Sequence, residues 1–236
     1  MSERIKVRIK FSKHGALKFI GHLDIMRYFQ KVFRRSGIDI AYTEGFSPHQ
    51  VMSFAAPLGV GLESDGEYMD VEFNSLESTE DVKRKMNEQM AEGMEVLSVV
   101  VLPEKSGSAM AAVAAAGYYI AFPDGFEPSQ GWREAIKEFL QAEQILMEKQ
   151  TKKSVLEIDL KPSIYDFRLS SYQGKNCLYL MVNASSAGNI KPAMVMEAIF
   201  KGLDLPFDAF RMSVTREDTY LNRGTEEEPL FVPMDQ

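Results

Sequence analysis

The amino-terminal segment alternates between cationic and apolar residues. From Arg4 to Phe11 the chain reads Arg-Ile-Lys-Val-Arg-Ile-Lys-Phe. A β-strand with this pattern points its four apolar side chains to one face and its four cations to the other. A helical pattern follows from His22 to Ser36, and Gly37 provides a stop for that helix. The predicted core positions of the helix recur at helical spacing: Ile25, Phe29, Val32 and Phe33.

Strand and helix patterns continue to about residue 102. Ser78 has the chemistry of a helix cap, and the apolar run from Val96 to Leu102 predicts a closing strand. Between the two helices, the predicted strands are Ile38–Thr43, Val51–Ala56 and Tyr68–Phe73. Apart from one additional strand between the helices, this is the order strand, helix, strand, strand, helix, strand that is typical of the ferredoxin-like split βαβ arrangement.

A similar order returns after an alanine-rich segment. Tyr118–Phe122 predicts a strand, Ser129 a helix cap, and Pro192 the first turn of a further helix. We therefore expect an α+β protein made of two tandem ferredoxin-like domains with antiparallel sheets. The predicted boundaries are a first domain at 1–105, an Ala/Ser/Gly linker at 106–117, a second domain at 118–225 and a mobile acidic tail at 226–236.

Composition narrows the class of protein. The chain has 236 residues, of which 45% are hydrophobic, enough to fill two modest cores. Its single cysteine, Cys177, lies in an apolar run, which favours a buried thiol and excludes a disulfide framework or a cysteine-ligated cluster built from this chain alone. No apolar run approaches the roughly 18 residues of a membrane span. A soluble cytoplasmic protein without a membrane partner is the expectation.

The charge distribution is uneven. The net charge is -7, yet residues 1–35 carry ten lysines and arginines against two acids. Such asymmetry favours a local anion-binding surface on an acidic body. The anion can be nucleic acid, a nucleotide or an acidic partner protein, and charge alone does not choose among them.

The cationic strand and the basic helix predict an RNA contact surface. A ferredoxin-like sheet carries helices on one face, and RNA-binding domains of this topology use the other face. The alternative is that exposed lysines and arginines only provide solubility and protect a sheet edge. The predicted contact residues are Arg4, Lys6, Arg8, Lys10, Lys18, His22, Arg27, Lys31, Phe46, Ser47, His49 and Lys161.

Two histidines and one glutamate are the candidates for chemistry. His22 or His49 has the residue type needed to move a proton at a ribose 2′-hydroxyl, with Glu44 nearby in sequence. The same residue types also fit a metal site of two histidines and one carboxylate. A third interpretation makes both histidines structural or ligand-contacting. Catalytic residues are named only under the acid–base hypothesis, and a metal site only under the metal hypothesis. Neither is assigned otherwise.

Four sequence motifs resemble a known bacterial family. They are Phe19–Arg27, Tyr42–His49, Ser53–Leu58 and Gly61–Tyr68. Together they resemble the uncharacterised radical SAM-linked family, a domain of unknown function. The resemblance is most specific over residues 4–73.

The resemblance implies an accessory role. Members of that family form the C-terminal part of a radical SAM protein or are encoded beside one, often near genes for ribonuclease G and ribosomal proteins. This chain lacks a three-cysteine cluster motif, so the resemblance implies the stand-alone companion form. A separate partner would then carry the iron–sulfur cluster and S-adenosylmethionine, and the chain itself would need no cofactor.

Three functions follow as hypotheses. The first is a non-catalytic RNA-binding module that presents a structured RNA, such as tRNA or rRNA, to the radical SAM partner. The second is a metal-independent endoribonuclease with a histidine general base. The third is a protein-interaction subunit of a radical SAM complex that makes no RNA contact.

Overall fold

The computed structural model describes residues 4–122, 131–150 and 155–236, without the side chains of residues 149 and 150. Over these residues the chain has an α+β structure with eleven strands and five α-helices. In chain order they are β1 (Ile5–Lys13), α1 (His22–Ser36), β2 (Met52–Phe54), β3 (Glu63–Phe73), α2 (Thr79–Asn87), β4 (Met94–Val101), α3 (Ala109–Ala112), β5 (Ala115–Ala121), α4 (Trp132–Gln141), β6 (Leu146–Gln150), β7 (Val155–Asp159), β8 (Ile164–Tyr172), β9 (Lys175–Asn183), α5 (Pro192–Gly202), β10 (Ser213–Asn222) and β11 (Phe231–Pro233).

The chain divides into two units. The first combines Met1–Ala114 with Asp218–Gln236, and the second is Ala115–Glu217. In the first unit β1 pairs with β3 and β4, and β2 also pairs with β3, which gives the order β4-β1-β3-β2. All of these pairs are antiparallel.

One face of the first sheet forms a hydrophobic core with α1 and α2. The apolar side chains of β1 and the predicted core face of α1 are buried there, with Val7, Ile9 and Phe29 at 0% exposure. Phe11 and Phe29 meet edge to face at 4.7 Å. The period-two and period-3.6 patterns therefore predicted this core correctly.

Local sequence determines where the helices start and stop. Gly37 ends α1 in a left-handed conformation at φ 67°, which a glycine adopts without a Cβ clash. Ser78 caps α2, since its hydroxyl accepts a hydrogen bond from the Asp81 amide at 3.1 Å. Ser129, the predicted cap of α4, lies outside the described residues.

The second unit has its own antiparallel pairs. β9 pairs with β5 and with β8, and the order is β10-β5-β9-β8. α4 and α5 cover one face, where Phe139 packs against Phe167 at 6.0 Å and Phe122 against Trp132 at 5.9 Å. β6 and β7 form a separate two-stranded hairpin between α4 and β8.

Two predicted boundaries are wrong. Residues 106–117 do not form a linker, because Ser108 caps α3, Ala109 is fully buried and Ala115 already begins β5. Residues 226–236 do not form a mobile tail, because β11 pairs with β10 and Met234 is 2% exposed. Buried apolar contacts and strand hydrogen bonds hold both segments, although their composition is that of linkers.

The buried thiol of Cys177 was predicted correctly, since its residue is 2% exposed. Burial raises the pKa of that thiol. Within the described residues, no helix combines the length and the apolar character needed to cross a membrane.

Candidate functional site

The cations of β1 share one face, as predicted, but that face is not open. Arg8 is 4% exposed and forms a bidentate pair with Asp70, its direct neighbour on β3, at 2.8 and 3.1 Å. Arg4 pairs with Glu72 at 3.1 Å, and Lys6 lies 3.6 Å from Asp70. Each of these cations therefore has a carboxylate partner on the neighbouring strand.

Lys10 joins a buried group of carboxylates and hydroxyls. Its ammonium lies 2.6 Å from Asp218, and the Tyr68 hydroxyl donates to the same carboxylate at 2.7 Å. Asp235 lies 3.1 Å from the Tyr68 hydroxyl and accepts from Ser98 at 2.6 Å. Burial and the two carboxylates raise the pKa of Tyr68, which therefore stays protonated and donates.

Two chain segments cover the same face. Lys6 donates to the carbonyls of Ser106 and Gly107 at 3.1 and 2.8 Å, and the Ala109 amide donates to Asp70 at 3.0 Å. Arg8 donates to the Met234 carbonyl at 3.0 Å.

We call this group of side chains the ionic layer: Lys6, Arg8, Lys10, Asp70, Asp218 and Asp235. The expectation that the β1 cations present an uncovered surface is wrong. Acids on β3 and β10 pair with those cations, and the segments after β4 and β11 bury Arg8 and partly cover Lys6, while Arg4 stays exposed.

Cations on α1 remain accessible. Arg27 and Lys31 are four residues apart on the side of the helix that faces away from the core, and both are exposed. Arg27 lies 3.3 Å from Asp24, but these side chains are 70% and 63% exposed, so water screens the pair. Lys31 forms no ion pair within the part of the chain that the structure describes.

The loop of residues 43–49 is braced against its own base. The Thr43 amide donates to the His49 carbonyl at 2.8 Å, and the His49 amide donates to the Thr43 hydroxyl at 3.1 Å. Phe46 at the loop tip is fully exposed, and Ser47 and His49 are exposed beside it. The braced backbone therefore presents an aromatic ring to solvent.

A buried glutamine connects this loop to α1. Gln50 is 5% exposed, and its amide donates to the Gln30 carbonyl of α1 at 3.4 Å. The end of the loop is thus in direct contact with α1. We call the exposed residues the helix–loop surface: Arg27, Lys31, Phe46, Ser47 and His49.

His22 lies in a different environment from His49. It is the first residue of α1, and its ring packs edge-on against Phe54 at 5.2 Å. It lines a cavity of about 20 Å³, large enough for one water molecule, together with the buried Lys13 and Glu67. His22 therefore lines a small, mostly apolar pocket that also contains Lys13 and Glu67.

The proposed catalytic group is not assembled. His49 Nδ1 lies 3.1 Å from the Thr43 hydroxyl, while Glu44 is exposed. Among the described residues, no hydrogen bond or ion pair joins His22, His49 and Glu44 to one another. The described part of the chain also holds no cluster of three or more histidine, cysteine or acidic residues able to bind a metal ion.

The two remaining predicted lysines have local partners. Lys18 lies 3.5 Å from Glu63 and 5.5 Å above the Phe19 ring. Lys161 belongs to the second unit, where its ammonium donates to the Ala142 carbonyl. Lys18 stays partly exposed beside the exposed Phe19, whereas Lys161 ties down a turn.

Sequence reasoning missed one histidine and two buried charges. His14 lies 3.1 Å from Asp65 and 3.8 Å from Glu63, and it forms part of the turn after β1. Lys13 and Glu67 were not singled out, although both are buried. The acids at alternate positions of β3 were the available signal, because opposite charges on paired strands attract each other.

The sequence also matches a protein family. Residues 6–192, most of the chain, match the family described as "Uncharacterized protein conserved in bacteria (DUF2344)". The chain belongs to this family. All residues of the helix–loop surface and His22 lie inside the region that defines DUF2344 membership. The family description states neither an activity nor a partner.

Comparison with other proteins adds a distant fold similarity. A structure titled "Crystal Structure of a Cbf5-Nop10-Gar1 Complex" matches with a TM-score of 0.49 and 13% sequence identity. The match covers 90% of this chain and 48% of that chain, so the DUF2344 chain spans about half the length of the structure it matches. A similarity at this level carries no functional implication. No curated protein matches the chain.

The Arg8–Asp70 pair predicts a large stability effect. Asp70→Asn leaves Arg8 buried without an anionic partner, so we expect a loss of about 3–5 kcal/mol in the free energy of unfolding. Asp24→Asn is the matched control, because it breaks a solvent-exposed pair worth at most about 1 kcal/mol. Urea unfolding followed by circular dichroism measures both. Equal and small losses would show that the ionic layer does not stabilise the unit.

Asp218 predicts an unusual pH dependence. Burial raises its pKa above the ordinary value near 3.8, and this effect outweighs the opposite one of Lys10. Between those two pKa values the folded state binds more protons than the unfolded chain, so the contribution of Asp218 to stability falls as pH rises. The Asp218→Asn variant lacks this loss. We expect its free energy of unfolding, relative to wild type, to increase as the pH rises above the ordinary value of about 3.8.

The control for this pH series has the opposite sign. Hydrogen bonds from Asn74 and Ser75 lower the pKa of Asp39, whose contribution is lost as pH falls. The free energy of unfolding of Asp39→Asn, relative to wild type, should therefore increase only when the pH drops below about 3.8. For Asp218→Asn, the free energy of unfolding relative to wild type could instead stay flat or fall as the pH rises above about 3.8. That result would contradict the raised pKa of Asp218.

Proposed function

We propose that this chain is an RNA-binding accessory module that holds a structured RNA for a separate radical SAM enzyme. The helix–loop surface supports the RNA contact. Its carrying observation is the fully exposed Phe46 at the tip of a braced loop, connected through Gln50 to a helix with exposed cations. The uneven charge of the sequence supports the same surface, because the cations of α1 remain accessible when those of β1 do not.

The chemistry of this surface fits unpaired nucleotides. Proteins bind single strands by stacking bases on aromatic rings and by placing cations near phosphates. A fully exposed phenylalanine costs free energy in water unless a partner covers it, and a nucleobase is a planar partner. Arg27 and Lys31 supply charge without sequence preference. Structured RNAs expose such nucleotides in loops and at ends.

The β1 cations have a structural role in this proposal. Arg8 is buried, Lys10 is partly buried, and both are paired with carboxylates, so we assign them to holding the sheet together rather than to contacting a ligand. His22 lines an internal cavity and His49 is exposed on the loop. The proposal assigns His49 to contact and gives no catalytic role to either histidine.

We further interpret both units as ferredoxin-like. Each unit contains two strand–helix–strand segments whose strands alternate in the sheet. The strand orders are β4-β1-β3-β2 and β10-β5-β9-β8. In both orders, the first strand of the unit lies between its last and its third strand. This order supports the tandem arrangement inferred from the sequence. In the second unit, the hairpin of β6 and β7 is then an insertion into that pattern.

The radical SAM partner rests on the motif resemblance. The single cysteine of this chain cannot provide the three thiolates of a radical SAM cluster. The partner would therefore hold the iron–sulfur cluster and S-adenosylmethionine, while this chain supplies affinity for RNA.

The RNA contact predicts a loss specific to one of two equally exposed phenylalanines. Phe46→Ala should weaken binding of an oligouridine of roughly 12 nucleotides by about 5-fold to 150-fold, the value of one stacked base. Phe210→Ala is the control, because Phe210 is also fully exposed but lies in the second unit. Fluorescence anisotropy at fixed salt gives both affinities. Equal effects of the two changes, or no binding at low salt, would refute the surface.

The proposed partnership predicts that this chain and the radical SAM protein stay associated after RNA is removed. The tagged chain, expressed in its native host, should co-purify with a radical SAM protein. RNase treatment should leave that protein bound while it removes RNA. A complex that RNase dissolves would mean that RNA bridges the two proteins, and the absence of the radical SAM protein in both samples would contradict the proposed partnership.

A further inference from the structure

Three tyrosines and an arginine form a cluster on the sheet of the second unit. Tyr119, Tyr179 and Arg168 lie directly opposite one another on β5, β9 and β8. The Arg168 guanidinium stacks 4.5 Å from the Tyr179 ring centroid, and Tyr119 lies 5.5 Å from Tyr179. Tyr172 stacks on Tyr119 at 4.6 Å with an interplanar angle of 20°. We call these four side chains the tyrosine platform.

The platform lies on the face of the sheet opposite to α4 and α5. The helix-covered face carries Phe167 and Phe122. Phe167 packs against Phe139 of α4, and Phe122 packs against Trp132 of α4 and Phe200 of α5. Phe167 precedes Arg168 on β8, and successive side chains of a strand point to opposite faces. Arg168, Tyr179 and Tyr119 therefore share the face that these helices do not cover.

Gly117 makes room for the platform. A Cβ at this position would lie 2.7 Å from the Tyr179 hydroxyl and 2.6 Å from the Glu217 carboxylate. The Tyr179 hydroxyl itself lies 3.5 Å from Glu217. A side chain at this position would therefore displace the Tyr179 hydroxyl and the Glu217 carboxylate.

The exposure of the platform is graded. Tyr179 at its centre is 8% exposed, Tyr119 and Tyr172 are half-buried, and the Arg168 side chain is 54% exposed. The central ring is therefore fixed, while the outer rings and the guanidinium reach solvent.

The charges around the platform favour an anionic ligand. Lys175 lies opposite Tyr172 at the rim, is exposed, and forms no ion pair among the residues that the structure describes. Two acids are also present: Asp166 pairs with Arg168 at 2.8 Å on the same strand, and the Glu217 carboxylate lies 3.5 Å from the Tyr179 hydroxyl. Rings that stack and cations that approach phosphates are the two requirements for a single-stranded nucleic acid.

We propose that the tyrosine platform is a second RNA contact, where unpaired bases stack on Tyr119 and Tyr172 while Arg168 and Lys175 approach the phosphates. The inference rests on the proposed function, since both surfaces take RNA. It adds a separate site on the second unit that binds by stacking and has no residue in common with the helix–loop surface.

Photochemical crosslinking tests the platform separately from the helix–loop surface. Full-length protein is irradiated with an oligouridine of roughly 12 nucleotides that carries 5-iodouridine, and mass spectrometry identifies the crosslinked peptides. We expect crosslinks at Tyr119 or Tyr172. Crosslinks confined to the peptide with Phe46 would overturn the platform and leave the proposed function intact. Crosslinks confined to the platform would support the platform and refute the helix–loop surface as an RNA contact, and none at all would refute both surfaces.

Matched variants separate stacking from folding. Tyr172→Ala should reduce the platform crosslink and weaken binding about 5-fold or more, whereas Tyr172→Phe, which keeps the ring, should retain both. Tyr165→Ala is the control, because Tyr165 is an exposed tyrosine of the same strand outside the platform. Thermal unfolding by circular dichroism checks that each variant is folded. Equal binding by Tyr172→Ala and wild type, with both folded, would exclude the platform as an RNA contact. Binding of a protein but of no RNA at the platform would exclude it as well.

Discussion

The bidentate pair between Arg8 and Asp70 is the interaction on which the first unit depends. It joins two neighbouring strands, and both partners also bind the segments that cover them, through the Met234 carbonyl and the Ala109 amide. Removing two charges from water is costly unless each finds several partners. The remaining polar contacts of this face meet that requirement, and they explain why apparently flexible segments are held in place.

The sequence pattern predicted the core better than it predicted the opposite face. Strict alternation in β1 and helical spacing in α1 identify the buried side chains, because burial of apolar surface depends mainly on periodicity. The same alternation says only that the cations share a side. Whether that side meets water depends on distant residues such as Asp218 and Met234, which composition and periodicity do not connect to β1.

The candidate site shows the same division. The 43–49 loop contains the predicted contact residues Phe46, Ser47 and His49, and all three are exposed, as is typical of binding loops. Its neighbour Ile38–Thr43 was predicted as a strand but forms only isolated bridges at Ile40 and Tyr42. The tyrosine platform escaped prediction because Tyr119 on β5 is distant in sequence from Tyr172 and Tyr179 on the β8–β9 hairpin, and only the strand register brings them together.

The first unit is discontinuous along the chain, and this orders its assembly during synthesis. Asp218 and Asp235 leave the ribosome only after all of Ala115–Glu217 has been made. Until then Lys10 and Tyr68 lack the carboxylates that they contact in the finished protein. The nascent first unit therefore has an incomplete polar face until synthesis ends. The inserted unit is able to reach its native state before the unit that encloses it in sequence.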